Sequence, residues 1–107
     1  MKNLEPTENE IQTSICDYLT VKKHFFWRQN VLPAMTKDGR VRRMPKYSKN
    51  GVPDIILVHL GFFIGLEVKR KKSIQSDSQK QFEKDLKEVG GYYYIVRSIE
   101  DVQEIGL

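Results

Sequence analysis

The sequence predicts an α/β fold in which a mixed sheet is covered by helices. Three observations carry that expectation. Two apolar runs, at 54–59 and 62–70, flank the turn pair Leu60-Gly61 and read as a β-hairpin. A helix-spaced run opens with Ser76 and Gln79 at capping-box spacing, closes on Gly90-Gly91, and leads directly into the β-rich run 92–97. Another helix-spaced run lies near the amino terminus.

Each element follows in chain order. The first helix starts near Thr7: Pro6 precedes it, Thr7 can cap it, and Glu10 stands three residues on. Ile11, Ile15, Tyr18 and Leu19 recur at helical spacing, and the helix should end around residues 22–24. Residues 24–32 (HFFWRQNVL) are aromatic and β-rich, which predicts a strand. Asp38-Gly39 is a hairpin-turn signal, but Pro45 and the polar run beyond it favour a loop. The hairpin strands 54–59 and 62–70 come next. In the second helix, Phe82, Leu86 and Val89 form the stripe expected to be buried. After strand 92–97, Ser98 caps a short last helix with Ile99, Val102 and Ile105 on one side. The expected order is α, β, β-β hairpin, α, β, α, in a single domain over residues 1–107.

Composition narrows the function classes. The 107 residues are 39% hydrophobic and 30% charged, enough for one domain with its own core. No stretch approaches the roughly 20 apolar residues of a membrane span. The opening MKNLEPTENE lacks an apolar secretory region. Cys16 is the single cysteine, so no internal disulfide forms, which suits a cytoplasmic setting. His24 and His59 read as structural, and Cys16 as a packing residue. The net charge of +4 is unevenly spread. Lys37, Arg40, Arg42, Arg43, Lys46 and Lys49 crowd one segment against Asp38 alone, and Arg70, Lys71 and Lys72 follow Lys69. Such clusters suit a polyanion, and they also occur as plain solvated faces.

Charge inside the hairpin is the feature that asks for chemistry. Strand alternation puts Ile64, Leu66 and Val68 on one face and Gly65, Glu67 and Lys69 on the other. The short turn brings Asp54, just after Pro53, back beside Glu67 and Lys69. Two carboxylates and an ammonium at one point can hold Mg²⁺, and such an ion acidifies water and polarises a phosphate. An edge salt bridge accounts for the same residues. Glu8, four before Gln12, lies over the apolar stripe of the first helix, where it can assist a metal or simply complement the helix dipole. Gln79 faces inward at the start of its helix, to hold water or phosphate or merely to cap.

Together, Glu8-x-x-x-Gln12, Gly51-Val52-Pro53-Asp54, Glu67-Val68-Lys69 and Gln79 on the next helix resemble the PD-(D/E)xK nucleases. More narrowly, the pattern is similar to the VRR-NUC group, the virus-type replication-repair nucleases, over residues 7–102. The resemblance implies a restriction-endonuclease-like αβββαβ core with a mixed four-stranded sheet flanked by helices. It also implies an endonuclease (a phosphodiester hydrolase) dependent on Mg²⁺, with Mn²⁺ as a substitute. Asp54, Glu67 and the backbone carbonyl of Val68 would hold the metal, with Glu8 assisting through water. Lys69 would act on the nucleophile, and Gln79 would complete the catalytic set.

Short stand-alone members look like phage-type proteins that dimerise and cut branched DNA such as four-way (Holliday) junctions. A homodimer on DNA in the cytoplasm, that of the host cell if the chain is phage-encoded, is the expectation here. Lys37, Arg40, Arg42, Arg43, Lys46, Lys49, Arg70, Lys71 and Lys72 would contact phosphates, favouring shape over sequence. Trp27, Tyr47 and the 92–94 tyrosines could stack on bases, or serve as core and interface residues. Two alternatives stand beside this reading: a sequence-specific restriction-type nuclease, and a non-catalytic nucleic-acid-binding module of the same fold.

Overall fold

A computed structural model describes residues 5–29 and 45–107. In chain order these form α1 (Glu8–Val21), β1 (Phe25–Arg28), β2 (Ile55–His59), β3 (Phe62–Val68), α2 (Asp77–Glu88), β4 (Tyr92–Val96) and α3 (Ile99–Ile105). The chain is α/β, and the sheet order is β1-β2-β3-β4.

The β2–β3 hairpin sets the register of everything else. Leu60 and Gly61 both take positive φ, 52° and 84°, the conformation of a tight hairpin turn whose twist matches the strands it joins. His59 then pairs with Phe62 and Ile55 with Leu66. On the other side of β2, β1 adds antiparallel, with Arg28 opposite Ile55. β4 joins β3 in parallel. A parallel neighbour requires a crossover, and α2 supplies it.

The hydrophobic core lies on one sheet face. Ile55, Leu57, Ile64, Leu66, Val68 and Val96 project there against Ile11, Ile15 and Leu19 of α1 and Val102 of α3. Each fully buried aliphatic side chain contributes about 1.5–3 kcal/mol. Thr7 accepts the Glu10 N–H at 3.1 Å, and Ser98 accepts the Asp101 N–H at 3.2 Å, so both expected caps are in place. Ser76 and Gln79 form the full capping box of α2. Cys16 packs half-buried against the core. The His24 and His59 rings meet edge to face, 5.3 Å apart.

Three expectations need correction. The strand expected over 24–32 begins at Phe25, and its described part ends at Arg28. Gln29 still donates its N–H to Asp54 O at 2.7 Å, while residues 30–32 and the Asp38-Gly39 signal lie outside the described residues. β3 stops at Val68 rather than at residue 70. Its partner β4 ends at Val96, and the Arg97 N–H turns to Asp101 Oδ2 at 2.8 Å. The α2 stripe is not buried as expected: Phe82 and Leu86 are half-buried, and Val89 is 82% exposed because the helix ends at Glu88 and Val89 unwinds at its C-cap.

Candidate metal centre

The segment Gly51-Val52-Pro53-Asp54 is shaped by two close approaches. Gly51, at φ +74°, lies so near the first turn of α2 that a Cβ there would stand 2.2 Å from Ser78 O. Pro53 sits on Gly65, whose missing Cβ would fall 2.6 Å from the proline ring. The room that Gly65 leaves is therefore filled by Pro53, which fixes the approach of the next residue. Asp54 Oδ2 accepts the Val68 N–H at 2.8 Å, tying the start of β2 to the end of β3.

Glu67 projects from β3 on the face opposite the core, and Glu8 reaches the same point from the first turn of α1. One carboxylate oxygen from each of Glu8, Asp54 and Glu67 lies within 4.8 Å of the other two. Lys69, itself buried, holds its Nζ 3.8 Å from Glu67 Oε2. Glu67 is 1% exposed, and its Oε1 has no hydrogen-bond partner among the described residues.

Electrostatics follow from that geometry. Burial, then the adjoining Asp54 carboxyl, pushes the Glu67 carboxyl up to about 9, with Glu8 adding to the effect and Lys69 opposing it. An acid held so far above its ordinary range is short of positive charge. Without a cation Glu67 therefore keeps its proton at neutral pH, and with Glu67 ionised the adjoining Lys69 offsets only one of the three charges. A buried oxygen without a partner, hard oxygen donors and excess negative charge together fit a divalent cation such as Mg²⁺. The chain's own groups can then do two things: the acids hold the cation, and the Lys69 ammonium places a proton donor and a charge beside it.

Two solved structures share this architecture. One, described as a VRR_NUC domain, superposes with a TM-score of 0.63 at 16% identity, covering 92% of this chain and 91% of that one. The other, described as a VRR_NUC domain protein, gives 0.61 at 19% identity, covering 94% and 85%. This chain has the VRR_NUC fold. No family model and no curated protein matches the sequence itself.

On the VRR_NUC fold the remaining expected residues distribute unevenly. Val68, expected to offer its carbonyl, sits between Glu67 and Lys69 with its N–H bound to Asp54. Gln79 uses its side-chain oxygen to accept the Ser76 N–H at 2.8 Å, so it serves the helix cap. Arg70 pairs with Glu5 at 3.3 Å, while Lys46, Lys49, Lys71 and Lys72 are exposed. Lys37, Arg40, Arg42 and Arg43 lie outside the described residues.

Two polar groups near the centre carry no role at the acids in the sequence pattern: Gln12 enters only as a motif position, and Tyr93 only as one of three tyrosines suited to stacking, core or interface. Gln12, one turn after Glu8, is 3% exposed with an unpartnered Oε1 among the described residues. Its signal was the i, i+4 spacing from Glu8. Tyr93 pairs with Gly65, which puts it on the face of Glu67; its hydroxyl is buried and likewise unpartnered. The parallel β3–β4 register decides which of three consecutive tyrosines faces the acids, and no local pattern encodes that register.

Proposed function

We propose that this chain is a divalent-metal-dependent, structure-selective DNA endonuclease that hydrolyses phosphodiester bonds, with branched DNA such as four-way junctions as its substrate. The observation that carries the reading is the convergence of Glu8, Asp54 and Glu67 beside a buried lysine on a VRR_NUC fold. Asp54 and Glu67, with the Val68 carbonyl, would hold Mg²⁺ or Mn²⁺, and Glu8 would bind through water. A cation bound there would supply a Lewis acid and an acidified water.

The protein's own groups do the positioning. Asp54 is oriented by the Val68 N–H and by Pro53 seated on Gly65. Lys69 orients the attacking water and offsets charge growing on the phosphoryl oxygens. Gln79, at the start of α2, holds the Gly51 side of the site through its cap. Exposed Lys46, Lys49, Lys71 and Lys72, with Arg70 beside them, supply phosphate contacts that position DNA without reading its bases. Lys37, Arg40, Arg42 and Arg43 are proposed to add phosphate contacts of the same kind. Symmetric incision of two strands calls for two centres, hence a homodimer, working in the cytoplasm. Among the described residues no helix is long and apolar enough to cross a membrane.

The test incubates an end-labelled four-way junction and a matched linear duplex with Mg²⁺, using wild-type protein and Asp54→Ala. The reading expects incision of the junction, independent of the sequence of its arms, and none with Asp54→Ala. Incision of plain duplex at one fixed sequence would favour a restriction-type enzyme instead. Binding without incision would favour a non-catalytic module.

A further inference from the structure

At the edge of the sheet formed by the described residues, β1 carries exposed rings on the sheet face that holds the candidate metal centre. Phe25 pairs with Val58 and Trp27 with Ile56, and Ile56 pairs in turn with Gly65. Paired residues project to one face, and alternate residues along a strand share it. Phe25 and Trp27 therefore lie on the face of Ile56, Gly65 and Glu67. Trp27 stands about 7 Å along β2 from Asp54 and about 5 Å across, one strand spacing. That places it within reach of the nucleotide flanking a phosphate held at the centre.

The two rings are built to stay in place while remaining open. Phe25 is 69% exposed and Trp27 41%. They meet edge to face, 6.0 Å apart at 68°. The indole Nε1–H donates to Gln29 Oε1 at 2.7 Å, and the backbone N–H of Gln29 is bound to Asp54 O. The orientation of the indole is thus coupled to the segment that delivers Asp54. Exposed rings on an edge strand are a liability unless something covers them.

We propose that Trp27, buttressed by Phe25, is a stacking platform for an unpaired nucleobase next to the phosphate at the metal centre. The inference rests on the nucleic-acid reading of that centre. Two features select a base over another occupant. The platform adjoins the proposed phosphodiester site, and the chain as a whole is cationic, with net charge +4 and exposed Lys46 and Lys49 just before Gly51. A base inside a duplex has both faces covered by its neighbours. An unpaired base at a branch, gap or single-stranded overhang offers one, and aromatic side chains accept any base in this way. Trp27 would therefore convert unstacking into affinity and supply a physical basis for preferring branched or single-stranded substrate.

Trp27 is the single tryptophan of the chain, so its emission reports on this one position. The experiment titrates wild-type protein in EDTA with a labelled single-stranded oligonucleotide and with the matching blunt duplex, reading Trp27 emission and oligonucleotide anisotropy together. Single strand is expected to quench Trp27 with the same midpoint as the anisotropy curve. Trp27→Leu, which keeps apolar bulk without a flat ring, should bind single strand on the order of ten-fold more weakly. Trp27→Phe should retain most of the affinity, and blunt duplex should bind all three proteins alike.

Anisotropic binding that leaves Trp27 emission and Trp27→Leu affinity unchanged overturns the proposal, as does failure to bind single strand. Emission that shifts with protein concentration alone also overturns it, because a second copy then covers the ring. Cleavage in Mg²⁺ is scored separately. Quenching without cleavage supports the platform and counts against the hydrolase reading. Cleavage with a silent Trp27 does the reverse.

Discussion

Asp54 has two tasks: its carboxylate accepts the Val68 N–H, and it forms part of the acid cluster with Glu8 and Glu67. Asp54→Asn keeps an acceptor oxygen but removes the charge. Calorimetric titration with Mn²⁺ should show binding lost while the thermal melt stays close to wild type. Asp54→Ala also leaves the Val68 N–H unpaired, which costs about 1–3 kcal/mol and should appear as a lower urea midpoint. Glu67 adds a pH dependence. Its folded pKa stands near 9, above the unfolded value of about 4.3, so the fold holds the proton more tightly than the unfolded chain. The stabilisation is full below the unfolded value and is lost as pH rises through the folded one. Metal-free protein should therefore unfold at progressively lower urea between about pH 5 and pH 9. Glu67→Gln should flatten that slope, and saturating Mg²⁺ should reverse it. The acids themselves were legible in the sequence because alternation and a two-residue turn suffice to bring 54 and 67 together. Tyr93 was not, since its facing depends on a strand pairing made across a whole helix.

At the scale of elements, α1 meets the hairpin through the apolar core, while the segment leading into β2 meets α2 at Gly51 and β3 at Gly65. Gly51→Ala meets both a left-handed backbone and the Ser78 carbonyl, and Gly65→Ala meets the Pro53 ring. Overpacking of this kind costs about 1–3 kcal/mol. Either variant should also weaken Mn²⁺ binding, because Pro53 and Gly51 aim Asp54. A core substitution such as Ile15→Ala should lower stability by about 2–5 kcal/mol and leave metal affinity per folded molecule unchanged. Caps, turn and helix order were readable from short-range chemistry: Thr7, Ser76 and Ser98 cap as expected. The ends were less so. β3 stops where its neighbour turns into α3, and Val89 leaves the stripe because the helix has already ended, outcomes set by tertiary partners rather than by local spacing.

At the scale of the whole molecule, the proposed function asks the exposed basic residues to meet a polyanion. Glu8, Asp54 and Glu67 converge at one centre, and Lys46, Lys49, Lys71 and Lys72 are exposed. If Lys46 and Lys49 each neutralise a phosphate, replacing both with Gln should reduce the slope of log binding constant against log salt by about 2. Light scattering at working concentration should give twice the chain mass if a dimer presents two centres; a clean monomer would contradict symmetric incision by one assembly. The central claim is that the Glu8–Asp54–Glu67 centre hydrolyses phosphodiester bonds with a divalent cation. Its most direct test is incision of a labelled four-way junction by wild-type protein and Glu67→Gln, in Mg²⁺ and in EDTA. The account predicts product only for wild type in Mg²⁺. Product in EDTA, undiminished product from Glu67→Gln, or none under any condition would contradict it.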